Sequence, residues 1–188
     1  NNASFNDDIG NWDTSNVTVM GTMFKGASDF NRDISKWDVS KVTNMIGIFR
    51  GALDFNNGGQ DLNDWITSQV TSIEYAFNGA TNFNNGASSG VSTTLSWDVG
   101  NVTEMQHTFQ NADAFNANLS GWNTGKVTRM ENMFNEADVF NNGASSGVST
   151  TLNWGTSSVT TMANMFNNAD DFNANLSGWD TGKVTNMK

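Results

Sequence analysis

Seven tryptophans, at positions 12, 37, 65, 97, 122, 154 and 179, stand 25, 28, 32, 25, 32 and 25 residues apart, and each is followed by the same train of residues. Five residues after each Trp comes a Val: Val17, Val42, Val70, Val102, Val127, Val159 and Val184. Counting from that Val, a Thr stands at +1, Met or Ile at +3, Phe at +7, Ala at +10 and a second Phe at +13. The thirteen phenylalanines all fall on this template, with Phe5 as the second Phe of a preceding coil, and of the nine methionines six stand at +3 and three at +6. A period of this length is the signature of a stacked array, in which no unit buries its apolar face alone and neighbours complete the core.

The variation in length enters at one point. From Trp to the second Phe the distance is always 18 residues, whereas from that Phe to the next Trp it is 7, 10 or 14. Residues 56–62, 84–94 and 141–151 are therefore insertions at one corner of the coil. The last two carry the same segment, Asn-Asn-Gly-Ala-Ser-Ser-Gly-Val-Ser-Thr-Thr, 57 residues apart, which indicates duplication of a two-coil unit. The expected fold is a repeat solenoid of about seven α/β coils of 25–32 residues, occupying 1–188 as a single array. The apolar positions at 0, +3, +7, +10 and +13 follow a helical stripe, so 18–27 and its equivalents are predicted as a short helix or 3-10 turns. The Thr at +1 then caps the helix by accepting from backbone N–H groups. The stretch around Trp, as in 33–40, is predicted as a short parallel strand. The core column is Trp12, Trp37, Trp65, Trp97, Trp122, Trp154 and Trp179. Asn follows every second Phe, at Asn6, Asn31, Asn56, Asn84, Asn116, Asn141 and Asn173. Such a column reads as a structural ladder satisfying backbone groups at the corner, with a ligand-binding role as the alternative.

Composition narrows the function. The net charge is −10 and the nine basic residues are scattered. Nucleic acid needs clustered Lys and Arg against its phosphates, so it is not an expected partner, and an anionic membrane is disfavoured for the same reason. There is no Cys, hence no disulfide or thiolate metal site, and no Pro, so every backbone N–H can donate. No apolar run reaches the 18 residues a membrane span requires. The chain starts at Asn1 without Met and stops within a repeat, so it is expected to be a segment of a longer protein.

Catalysis needs a convergent set of reactive groups, and none is visible. The one histidine, His107, stands where other coils carry Thr22, Gly47, Asn132 or Asn164, so no enzyme activity and no cofactor are expected. Asp8, Asp13, Asp33 and Asp38 flank the Trp segment of the first two coils. Turn and capping roles explain them; calcium between adjacent coils is the alternative. The Thr column suggests a minor reading, ice binding by a regular hydroxyl array, although each Thr stands singly. The insertions supply Ser88, Ser89, Ser92, Thr93, Ser145, Ser146, Ser149 and Thr150 as candidate ligand-binding hydroxyls. Inserts in such arrays protrude from one face, often the binding face; the alternative is that Val91–Leu95 adds a local strand and pads the edge.

The motif Phe-Asn-x-Asp-Ile-Ser-x-Trp-Asp-Thr-Ser-x-Val-Thr-x-Met-x-x-Met-Phe-x-x-Ala, clearest in 5–27, 30–52 and 115–137, resembles the BspA-like leucine-rich-repeat surface proteins. It is most similar to their DUF285-type 25-residue repeats, found in mycoplasma and other bacterial surface lipoproteins. The resemblance covers essentially the whole chain and implies a leucine-rich-repeat-like coil, extracellular or cell-surface display, and adhesion to a glycan, protein or cell surface. It brings no catalytic residues. A structural fibre or spacer, formed by end-to-end stacking through apolar coil ends, is the competing expectation. The 28- and 32-residue coils, Trp65-Ile66 and Trp154-Gly155 depart from the pattern.

Overall fold

The structure is a computed structural model and describes residues 2–188. The chain is a repeat protein built almost wholly of turns. Among the described residues its regular elements are one 3-10 turn, Asn57–Gly59, and two short strands, β1 (Thr93–Thr94) and β2 (Ala117–Asn118), which pair in parallel.

Backbone hydrogen bonds show how the tiers stack. In the tier that starts at Val17, the N–H groups of Met20, Thr22, Phe24 and Gly26 donate to the carbonyls of Asn44, Ile46, Ile48 and Arg50 in the next tier. The alternate N–H groups, of Met23, Lys25 and Ala27, close local turns on the carbonyls three residues back. The same alternation recurs in the tier of Val42, where Met45, Gly47, Phe49 and Gly51 donate to Ser72, Glu74, Ala76 and Asn78. A continuous line of parallel bridges joins the +2 positions, Val19, Asn44, Ser72, Glu104, Arg129, Thr161 and Asn186.

The predicted helix over 18–27 is therefore absent, and the reason is local. A right-handed helix needs φ below zero at every residue. Positions +5 and +9 are left-handed in every complete tier: Thr22 and Gly26, Gly47 and Gly51, Tyr75 and Gly79, His107 and Asn111, Asn132 and Glu136, Asn164 and Asn168. Each sits third in a four-residue turn, where a type II turn demands φ above zero. The backbone thus turns inside the tier at every second residue and is free to bond outward at the others.

The Thr at +1 is not a helix cap either. It donates where capping would have it accept: Thr43 sends both its N–H (2.9 Å) and its Oγ1 hydroxyl (3.2 Å) to the carbonyl of Thr18. Thr71, Thr103, Thr128, Thr160 and Thr185 repeat the double contact on the Thr one tier before.

The strand expected around Trp forms only in part: β1 and β2 pair in parallel just ahead of Trp97 and Trp122, whereas at 33–40 none forms, because most N–H groups there are used locally. Trp37 N–H closes a turn on Ile34, Val42 N–H closes one on Val39, and Ser35 and Ser40 N–H groups meet the carboxylates of Asp33 and Asp38. Side chains make the tier-to-tier contacts instead. Trp37 Nε1–H donates to the Ile9 carbonyl at 3.1 Å, and Trp65, Trp97, Trp122, Trp154 and Trp179 do the same to the tier before them.

The core is a set of columns. The +7 phenylalanines Phe24, Phe49, Phe77, Phe109, Phe134 and Phe166 stack with ring centroids 5.4–5.7 Å apart. Each also stacks on the +13 Phe of its own tier, as Phe109 does on Phe115 at 3.9 Å. From the second tier on, the +6 residue (Ile48, Ala76, Thr108, Met133 and Met165) is buried beside them. Of the Trp column, Trp37, Trp65, Trp97, Trp122 and Trp154 are buried; Trp179 is half-buried and Trp12, in the first tier, is 54% exposed.

Candidate functional site

The corner of the tier, just after the second Phe, is where length varies, and asparagine organises it. The Oδ1 of each column Asn accepts the N–H of the next: Asn6 from Asn31, Asn31 from Asn56, Asn56 from Asn84, Asn84 from Asn116, Asn116 from Asn141 and Asn141 from Asn173, all at 2.8–3.1 Å. Where an insertion follows, the same Oδ1 takes a second donor, as Asn116 does from Gly143. The amide nitrogens hold the insertions in shape. Asn84 Nδ2 donates to the carbonyls of Ser88 and Val91, and Asn141 Nδ2 makes the identical pair with Ser145 and Val148.

A second asparagine, not singled out by the sequence reading, completes the corner. Asn57, Asn85 and Asn142 are buried, have φ of 52°, 48° and 51°, and accept through Oδ1 the N–H groups of Ile34, Leu62 and Leu119 in the tier before. Each replaces the backbone carbonyl that the outgoing insertion removes from the ladder. The signal was present: Asn-Asn-Gly follows Phe55, Phe83 and Phe140, the three tiers with insertions, and no others. After its excursion the chain rejoins the stack through Thr93–Thr94 on Ala117–Asn118, and through Thr151 on Asn175.

Between these fixed ends the insertions stand out from the body. Ser88, Ser89 and Ser92 are exposed in the first, and Ser145, Ser146 and Ser149 in the second; Thr93 and Thr150 are half-buried at the return. Each loop also shows a valine to solvent, Val91 at 51% and Val148 at 53%. Ser146 Oγ reaches Asp171 Oδ1 at 2.6 Å, so the second loop is tethered to the next tier. The two loops share sequence and the bonds of Asn84 and Asn141, one two-tier unit apart.

The other candidates lie apart. Asp8, Asp13, Asp33 and Asp38 each accept the N–H two residues on, from Gly10, Ser15, Ser35 and Ser40. The Asp13 and Asp38 carboxyls are held below the usual range, first by the Ser15 and Ser40 hydroxyls and then by those backbone donors. Among the described residues no three His, Asp or Glu side chains converge as a metal cluster. His107 stacks on Tyr75 at 4.4 Å, and the Arg50 guanidinium lies 4.4 Å from the centroid of that ring. The Oγ1 proton of each Thr at +1 from Thr43 onward is spent on the preceding tier. Asp113 is pushed above the ordinary range, mainly by burial and then by Asp138 and Glu136.

Among the described residues, no helix is long and apolar enough to cross a membrane. No curated protein and no solved structure matches the chain. A family model described as "Mycoplasma protein of unknown function, DUF285" matches it three times in overlapping windows, over 1–94, 60–151 and 87–188. Those windows cover the full length with the repeating tiers described above, and the chain belongs to the DUF285 family.

Proposed function

We propose that this chain is a non-catalytic solenoid displayed outside the cell, acting as an adhesion or binding module whose contact surface is the pair of insertions at 84–94 and 141–151. The observation that carries the reading is the rigid duplication of an exposed loop. Side-chain amides of Asn84 and Asn141 spend their donors on holding two identical backbones in place, while the hydroxyls of Ser88, Ser89, Ser92, Ser145 and Ser149 and the valines Val91 and Val148 face solvent. Preorganised loops lose little freedom on binding, and two copies on one edge gain from bivalent engagement. Hydroxyls beside a small apolar side chain suit a glycan or the polar surface of a protein. The acidic exterior and the absence of a membrane-crossing helix fit a surface-displayed segment.

The test is to shorten both insertions to the connection used after Phe115, Asn116-Ala-Asn-Leu-Ser, and compare the two proteins on a glycan array and on intact cells. Binding is expected to fall at least about tenfold, with the thermal midpoint nearly unchanged because the short connection already occurs in the array. Equal binding by both proteins would reject the loops as the contact surface.

A second reading, assembly through the end tiers, is favoured by the apolar side chains at both ends of the stack. Trp12, Val19 and Met23 are exposed at one end and Met187 at the other. Tiers of like geometry would cover them, giving a heterologous, open-ended association. Met187→Glu should then abolish concentration-dependent rods in light scattering and negative-stain images; rods that persist exclude this mode.

A further inference from the structure

Four Asn-Gly pairs occur in the chain, at Asn57, Asn78, Asn85 and Asn142. The dipeptide carries a latent reaction. Glycine has no Cβ to shield its nitrogen or to restrict its backbone, so that nitrogen can attack the side-chain carbonyl of the preceding asparagine. Three of the four pairs are the second asparagines of the inserted corners, and there the fold demands the dipeptide. Asn85 and Asn142 are left-handed, and so are Gly86 and Gly143, at φ of 81° and 78°. A Cβ on Gly86 would stand 2.6 Å from the Gln60 carbonyl carbon, and one on Gly143 would stand 2.9 Å from Asn118 Cβ.

The closed corner keeps the attacking nitrogen engaged. Each glycine N–H is given to the column asparagine of the tier before: Gly58 to Asn31 Oδ1 at 2.8 Å, Gly86 to Asn56 Oδ1 at 2.9 Å and Gly143 to Asn116 Oδ1 at 3.1 Å. The fourth pair, in the body of its tier, gives the Gly79 N–H to the Gln110 carbonyl at 2.8 Å. Reaction therefore requires opening, and its rate follows the population of the open corner.

Asn85 and Asn142 form a matched pair. Residues 83–95 and 140–152 are identical in sequence, so the intrinsic reactivity of the two sites is the same and any difference comes from the fold. Asn85 Nδ2 donates to the Thr94 carbonyl at 2.7 Å and to Asn63 Oδ1 at 3.3 Å. Asn142 Nδ2 donates to two hydroxyls, Ser120 Oγ at 2.9 Å and Thr150 Oγ1 at 3.4 Å. The first insertion rejoins the stack through the paired strands β1 and β2, the second through the single bridge of Thr151 to Asn175. The bond of Ser146 to Asp171 holds the middle of the second loop, not the reacting amide. Asn57 is held like Asn85, with its Nδ2 on the carbonyls of Gln60 and Asp61.

We propose that Asn142 is a site of spontaneous covalent modification, converted to aspartate and isoaspartate when its corner opens, while Asn57 and Asn85 are protected by firmer corners. The Gly143 nitrogen attacks Asn142 Cγ. The N–Cγ bond forms, the Cγ–Nδ2 bond breaks, and Nδ2 leaves as ammonia with the Gly143 amide proton. Solvent water then opens the succinimide. Cleavage of the new N–Cγ bond gives aspartate; cleavage of the bond from that nitrogen to the Asn142 carbonyl carbon gives isoaspartate. Nothing is oxidised or reduced. Isoaspartate puts an extra carbon in the main chain and breaks the spacing by which Gly143 reaches Asn116, so the second insertion loses an anchor.

Peptide mapping by mass spectrometry, on the whole chain aged at mildly alkaline pH with and without urea, tests this. In urea, Asn85 and Asn142 should convert at equal rates. In the folded chain both should slow by at least about tenfold, with Asn142 ahead of Asn85 by about threefold or more, the scale of one hydrogen bond. S120A, at an exposed serine, removes the nearer partner of the Asn142 amide. It should speed conversion at Asn142 about threefold again and leave Asn85 unchanged. Folded-state rates that are equal at the two sites, or faster at Asn85, overturn the proposal. So does conversion of Asn142 as fast in the folded chain as in urea, or a rate at Asn142 that S120A leaves unchanged.

Discussion

Trp122→Ala will lower the unfolding free energy by about 3–5 kcal/mol, the range for removing a buried large aromatic side chain. Trp122 is 4% exposed and packs between tiers, 6.2 Å from Trp154 and 6.1 Å from Phe109. Its indole N–H donates to the Leu95 carbonyl at 2.8 Å, so truncation also strands a buried acceptor. The tiers above and below meet through this column, and the cavity cannot be closed by collapse of one tier without breaking the ladder on both sides. Urea denaturation of the two proteins measures the difference. A change below about 0.5 kcal/mol would be the size of a surface substitution and would remove the column from the core.

Asn116→Ala should have an effect of similar size through a different cause. Asn116 is buried; its Oδ1 accepts the N–H groups of Asn141 and Gly143, and its Nδ2 donates to the carbonyls of Ala144 and, at 3.5 Å, Gly90. Alanine leaves two N–H groups and up to two carbonyls without partners in a corner that solvent reaches poorly. At about 1–3 kcal/mol for each unsatisfied buried group, with partial relief by water, the loss is roughly 3–5 kcal/mol. Asn11→Ala, at an exposed asparagine, is the control and should cost less than about 0.5 kcal/mol. Equal, small losses at both positions in denaturant melts would show that the corner does not depend on its side-chain amides.

The repeat and its register were legible because each tier buries the same side chains, and the Trp, Val and Phe spacings record that burial directly. The helix was misread because a train of four-residue turns also points residues +3, +7 and +10 inward, which is the spacing of a helical stripe. The distinguishing mark was at the outward positions. Position +5 reads Thr, Gly, Tyr, His, Asn, Asn and +9 reads Gly, Gly, Gly, Asn, Glu, Asn. Glycine and asparagine recurring four residues apart signal left-handed backbone, which no helix of this hand accommodates. The strand expected around Trp survives only as β1 and β2, ahead of Trp97 and Trp122, because elsewhere those N–H groups are consumed by Asp-Ser turns and four-residue turns. The continuous line of parallel bridges falls at +2, where the residue type is unconstrained, from Val19 to Glu104 to Arg129, so no residue preference marks it. At the corner, the first asparagine column could be read from its strict recurrence. The second, Asn57, Asn85 and Asn142, recurs only where insertions occur, and its purpose follows from which backbone partner the insertion removes.

Ladder alternation between tiers is the feature on which the whole account stands, and hydrogen-bond scalar couplings read it directly. In a labelled sample, couplings are predicted from the amide nitrogen of Thr128 to the carbonyl carbon of Thr103, and from that of Phe109 to Met133, the pairs bonded at 3.0 and 2.9 Å. Couplings of Phe109 to the carbonyl four residues before it, with none to Met133, would mean a helix within each repeat and would contradict the stacked-turn structure.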